Sequence, residues 1–170
     1  MAIVKATYTK QKDGAKASIR YIQHRKGKEG ERVNRPLFGS DGLMGRWEAY
    51  RMIDEAQKGS VYFRFVISPD PKGEDSKQDL RLREITERTM NTLEERLHKP
   101  ILWVAVEHND HAPHRHVHVV AVVQGRLQVQ DFQSLRAQAT AACLEQRREL
   151  DQVLEQKEQE REEVQWEAGY

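Results

Sequence analysis

Cysteine is almost missing from this chain: Cys143 is the one residue of its kind in 170. That excludes a disulfide framework and a structural zinc site closed by thiolates, and it fits a reducing cytoplasm. Long apolar runs are missing as well. No stretch approaches the roughly 18 residues that cross a bilayer, and no apolar leader opens the chain, so a cytoplasmic protein with no membrane partner is expected. A strong net charge is the third absence. A balance of +1 argues by itself against a nucleic-acid binder, but the average hides a gradient. Residues 1–60 carry 13 Lys and Arg against 7 Asp and Glu, residues 61–130 carry 10 against 10, and residues 131–170 carry 5 against 10. The first third is a basic patch that an acidic tail masks.

What the chain does have is histidine, unevenly placed. Five of its seven histidines, His108, His111, His114, His116 and His118, fall within the stretch ILWVAVEHNDHAPHRHVHVVAVV, residues 101–123. Two short β-branched apolar runs flank a polar turn, which predicts a buried hairpin. Residues two apart on a strand share a face, so His116 and His118 project together, with Cα atoms roughly 6–7 Å apart. His114 shares that phase, whereas Val117, Val119, Ala121 and Val123 point the other way into a core. His108 ends the neighbouring strand, where the hairpin brings it alongside. Three neutral imidazoles on a rigid sheet are a catalytic divalent-metal site in outline. The bland alternative is a chance cluster of core histidines. His114-Arg115-His116 offers a second His-x-His register, but the central Val117 of His116-Val117-His118 demands a core and favours the latter. Asp110 either orients a ligating imidazole, accepts a proton, or simply makes the turn.

The remaining elements are ordered around this hairpin. Residues 2–9 alternate as a first strand, and residues 15–26 read as a helix ending at Gly27. On that helix Tyr21, His24, Arg25 and Lys28 share a face. A tyrosine among cations suits a DNA phosphate, although most tyrosines only cover a helix edge. Residues 27–45 read as a glycine-rich loop in which Lys28, Arg32 and Arg35, with Arg20, Arg25 and Lys26 just before, are candidate backbone contacts. Residues 46–58 form a short amphipathic helix whose Trp47, Tyr50, Met52 and Ile53 are expected to pack in the core or at its rim. Strand 61–68 ends at Ser68, a candidate phosphate contact or a turn former, as is His114 a candidate contact. A long helix, 76–98, stops at Lys99-Pro100. Residues 131–165 read as one long helix whose first half packs and whose charged second half is solvated or meets a partner.

The arrangement resembles the HUH endonucleases, and most closely the relaxases of plasmid mobilisation. His116-Val117-His118 stands at the HUH motif, His108 at the third ligand, and Ala15-Lys16-Ala17-Ser18-Ile19-Arg20-Tyr21-Ile22-Gln23 resembles the segment carrying the nucleophilic tyrosine. The strand ending in Ser68 also has its counterpart there. The resemblance spans residues 1–125 and implies that Tyr21 attacks a single-stranded DNA phosphate at a nick site. One Mg²⁺ or Mn²⁺ ion on His108, His116 and His118 would assist, and Asp110 would take the tyrosine proton. Arg20, His24, Arg25, Lys26, Lys28, Arg32, Arg35, Ser68 and His114 would bind DNA, and auxiliary mobilisation proteins would be partners. A replication initiator, a non-catalytic metal-stabilised DNA-binding module and a small metal hydrolase remain alternatives. The expected fold is α+β: a central antiparallel sheet with helices on one face, forming a domain over residues 1–130, and a charged helical extension over 131–170.

Overall fold

The largely apolar run VYFRFVIS, residues 61–68, becomes an interior strand of a sheet, second from one edge. A computed structural model of the chain describes residues 1–109 and 114–169. In chain order the elements are β1 (Ile3–Thr9), α1 (Lys12–His24), β2 (Leu37–Gly39), β3 (Gly42–Met44), α2 (Arg46–Asp54), β4 (Val61–Ser68), α3 (Leu82–Leu97), β5 (Leu102–His108), β6 (His116–Val123) and α4 (Val129–Ala168). The class is α+β. Six strands form one sheet in the order β1-β4-β6-β5-β2-β3, and every pairing is antiparallel.

Both faces of this sheet are covered, which corrects the expectation of helices on one face only. Phe63, Phe65, Ile67, Val117, Val119, Ala121 and Val123 pack beneath α3 and α4. Tyr62, Val104, Val106 and Val120 point the opposite way and pack beneath α1 and α2 through Ala15, Ile19, Ile22, Ala49 and Ile53. The reason is visible in the strands: β5 and β6 are apolar on both phases for most of their length, as a sheet buried on both sides requires. The histidine face is therefore not bare. It is the part of the α1 face that α1 leaves open.

Boundaries differ from the sequence reading where side-chain hydrogen bonds compete with propensity. α1 stops at His24: Arg25 turns to an extended ψ of 130°, and the Arg35 guanidinium takes the Ile22 and Gln23 carbonyls that another turn would use. Lys28 consequently lies beyond the helix and off the Tyr21 face. The expected loop 27–45 contains the β2–β3 hairpin, with Gly42 at φ +102°, a conformation that favours glycine. α3 begins at Leu82 rather than 76, because Asp70 and Asp75 accept backbone N–H groups of Lys72 and Leu80 and hold residues 70–80 in turns. His98, left-handed at φ 55°, closes α3 just before Pro100.

α4 opens with a capping box in which Gln128 and Asp131 exchange hydrogen bonds, and Arg96 of α3 donates to Asp131 at 2.8 Å. Its first half is part of the core through Leu135, Ala139, Ala142 and Cys143. Arg147 marks the end of this packing, forking onto Asp79 of the turn before α3 and onto Asp151. From Val153 onward the helix is exposed on all sides. No helix among the described residues is long and apolar enough to cross a membrane.

Candidate metal centre

Register alone brings the three histidines together. β5 pairs antiparallel with β6 so that His108 faces His116 directly and Val106 faces His118. Residues opposite one another in such a pair share a face, so all three imidazoles leave the sheet on the α1 side. Val117, 1% exposed, points to the other core, as the sequence reading expected. Ring centroids lie 4.4 Å apart for His108 and His118, 4.9 Å for His116 and His118, and 5.3 Å for His108 and His116. One ring nitrogen from each lies within 4.8 Å of the others, close enough to bind one metal ion. The Nε2 atoms of His116 and His118 are 3.2 Å apart. At metal–nitrogen distances of ~2.0–2.1 Å, two adjacent donors on one cation sit about 3.0–3.4 Å apart. That pair is already at coordination spacing.

Hydrogen bonds to backbone carbonyls set which nitrogens face inward. His116 Nδ1 lies 3.1 Å from the His114 carbonyl, so in the neutral ring Nδ1–H donates there and Nε2 keeps its lone pair. His108 Nε2 lies 2.6 Å from the Ile22 carbonyl and donates to it, leaving the lone pair on Nδ1. This is how outer partners orient metal-ligating histidines. It also ties β5 to α1, since Ile22 is the residue after Tyr21. His108 is fully buried, and burial first, with the nearby His118, Arg35 and His116 adding to it, pushes its pKa down to about 3 against the pull of the Ile22 carbonyl. An imidazole held neutral is one ready to ligate.

Tyr21 stands beside this cluster. It is 58% exposed on α1, with the Arg25 guanidinium 5.9 Å from its ring centroid. Tyr21 and His118 line the same cavity, about 950 Å³, between α1 and strands β1, β4 and β6. Gly14, Ala17 and Ser18 keep the α1 wall low, and Lys5 of β1 and Arg64 of β4 bring cations to it. Arg64 Nη1 donates to the Ser18 hydroxyl at 3.3 Å. The sequence reading missed both cations. Arg64 had a legible signal, being the one charged residue in an otherwise apolar strand. Lys5 had only the outward phase of a strand with alternating burial.

The other candidates are dispersed around this centre. Arg20, Arg25 and Lys26 line a shallow depression with Tyr21 and His24. His24 donates from Nδ1 to the Val33 carbonyl and accepts at Nε2 from Arg46, so both ring nitrogens are engaged within the protein. Lys28 and Arg32 are exposed beyond α1, and Ser68 is half-buried at the end of β4, opposite Ile3. His114 is exposed and contributes its carbonyl to His116 rather than a ligand nitrogen. Arg35 is a correction. Expected on the DNA-facing surface, it is 5% exposed and donates to the carbonyls of Ile22 and Gln23, where a cation satisfies the C-terminal end of α1. Asp110 and His111 lie outside the described residues.

One further anchor escaped the sequence. Arg115, between His114 and His116, forks onto Asp75 at 2.9 and 2.7 Å and donates to the Leu80 carbonyl at 3.0 Å. It pins the start of β6, and with it His116, to the turn that precedes α3. Comparison with models of known protein families, with curated proteins and with solved structures gave no match, so the site itself must carry the functional reading.

Proposed function

We propose that this protein is a metal-dependent single-stranded DNA nicking and strand-transfer enzyme of the relaxase kind. The observation that carries the reading is that Tyr21 and His118 line one cavity whose other polar walls include Lys5 and Arg64. A hydroxyl, two cations and one member of a three-histidine cluster around one space match the needs of phosphodiester transfer: a nucleophile, backbone neutralisation, and stabilisation of phosphoryl charge.

Lys5 and Arg64 hold the DNA backbone across the cavity, and Arg20, Arg25 and Lys26 extend the cationic track past Tyr21. The Tyr21 Oη attacks the phosphorus, its proton passing to a base, for which Asp110 is the candidate the sequence offers. The bond from phosphorus to the 3′ oxygen breaks, leaving a 5′-phosphotyrosine and a free 3′-hydroxyl that can later reverse the step. The Arg25 guanidinium, 5.9 Å from the Tyr21 ring centroid, adds a cation for the phosphate that the hydroxyl attacks. His108, His116 and His118 would hold a divalent cation, whose chemistry is to draw charge from the phosphoryl oxygens. Three imidazoles suit Mn²⁺ better than Mg²⁺, which prefers oxygen donors and keeps its waters.

The test is an adduct assay with a pool of single-stranded oligonucleotides and Mn²⁺. An SDS-resistant protein–DNA band that disappears in Tyr21→Phe and under chelation is expected. Retained single-strand and metal binding with no adduct would overturn the enzymatic reading in favour of a binding module.

A further inference from the structure

Trp47 is the largest apolar side chain standing outside the core at the front of the molecule. The sequence pattern assigns it to the core or rim, yet it is 76% exposed. It is not loosely held. Its indole meets the Tyr50 ring at 5.8 Å and 85°, a T-shaped contact that fixes its orientation while leaving most of its surface open. Leu43, 70% exposed, lies just before it on β3. An indole this open and fixed in orientation presents a flat face on which a ligand ring can stack.

Its surroundings are cationic. Trp47 follows Arg46 in the first turn of α2, and Arg46 Nη2 donates to His24 Nε2 at 3.3 Å. His24 belongs to the depression lined by Arg20, Tyr21, Arg25 and Lys26. Positive charge therefore extends from Tyr21 over the end of α1 to Arg46, the residue before Trp47. Cations that follow a backbone, next to an aromatic plane that can take a base, are the two parts of a single-strand binding surface. We propose that Trp47 is a base-stacking platform for single-stranded nucleic acid, one step beyond the Tyr21 site on the same cationic track. This rests on the nicking reading and specifies the path of the strand it acts on.

The experiment measures binding of a fluorescein-labelled oligothymidylate by anisotropy, without metal, so that it does not depend on chemistry. Trp47→Ala should weaken binding roughly 5- to 100-fold, with Trp47→Phe in between, because one stacked base is lost. The dependence of affinity on salt should not change, since no phosphate contact is removed, whereas Arg20→Ala should lower that slope by about one contact. In a Trp166→Phe background, which removes the other exposed indole, oligonucleotide binding should quench Trp47 emission; Trp103 is buried. Wild-type binding that is unchanged in Trp47→Ala, with no quenching, would overturn the platform and leave the nicking reading intact. Failure of the wild type to bind the oligonucleotide at all would overturn both.

Discussion

Arg115→Met should destabilise this protein far more than the loss of a surface cation would. The Arg115 side chain is 15% exposed and its partner Asp75 only 4%. Two hydrogen bonds join guanidinium to carboxylate, and a third reaches the Leu80 carbonyl. Removing the cation leaves a buried carboxylate with the Leu80 N–H at 3.3 Å as its remaining donor among these contacts. Breaking a pair of this kind costs about 3–5 kcal/mol, most of it the desolvation of the stranded charge. An exposed pair costs about 1 kcal/mol or less. Urea denaturation of Arg115→Met, Asp75→Leu and the double variant separates the two cases. The single Arg115→Met variant should lose at least about 3 kcal/mol, and the double variant should recover much of this, because neither charge is then buried. Since Arg115 holds the start of β6, Mn²⁺ affinity should fall about 10- to 100-fold in Arg115→Lys, which keeps the charge but not the fork. A stability loss under about 1 kcal/mol, or strictly additive losses in the double variant, would refute the claim that this pair anchors the histidine strand.

Three further outcomes follow from the same geometry. His108 stays neutral in the folded protein down to about pH 3, whereas an unfolded histidine takes a proton near 6.5, so stability is fully present above that value and is lost as pH falls. Chelated protein should lose about 2 kcal/mol between roughly pH 8 and pH 5 through this one group, as read by urea denaturation at each pH; a His108→Gln variant with the same pH dependence would contradict it. Mn²⁺ should raise the melting temperature of the wild type in a saturable manner, by about 4 kcal/mol of stabilisation at a thousandfold excess over Kd, and His118→Ala should abolish the effect in calorimetry. Cys143 is fully buried with its thiol pushed up to about 12, so native protein should react with a disulfide reagent at least about a thousandfold more slowly than unfolded protein.

Sequence periodicity alone determined much of this molecule. The β5–β6 hairpin, the facing of Val117 and the pairing of His116 with His118 all follow from period two, because a strand has only two faces and valine must take the buried one. Likewise the packed first half and solvated second half of α4 are legible in where Leu, Ala and Cys give way to Glu, Gln and Arg. Tertiary structure decided the rest, for reasons that are long-range. Arg35 looks like any surface cation until the chain folds it beneath the end of α1. Arg115 and Asp75 are 40 residues apart and show no local sign of each other. Trp47 has the spacing of a core residue, yet α2 presents it to solvent at 76% exposure. Above all, covering the sheet on both faces rather than one is what gives Tyr21 and His118 a shared cavity. Ile22, next to Tyr21, accepts the hydrogen bond of His108, and that contact between residues 86 apart is what joins the helix to the metal cluster.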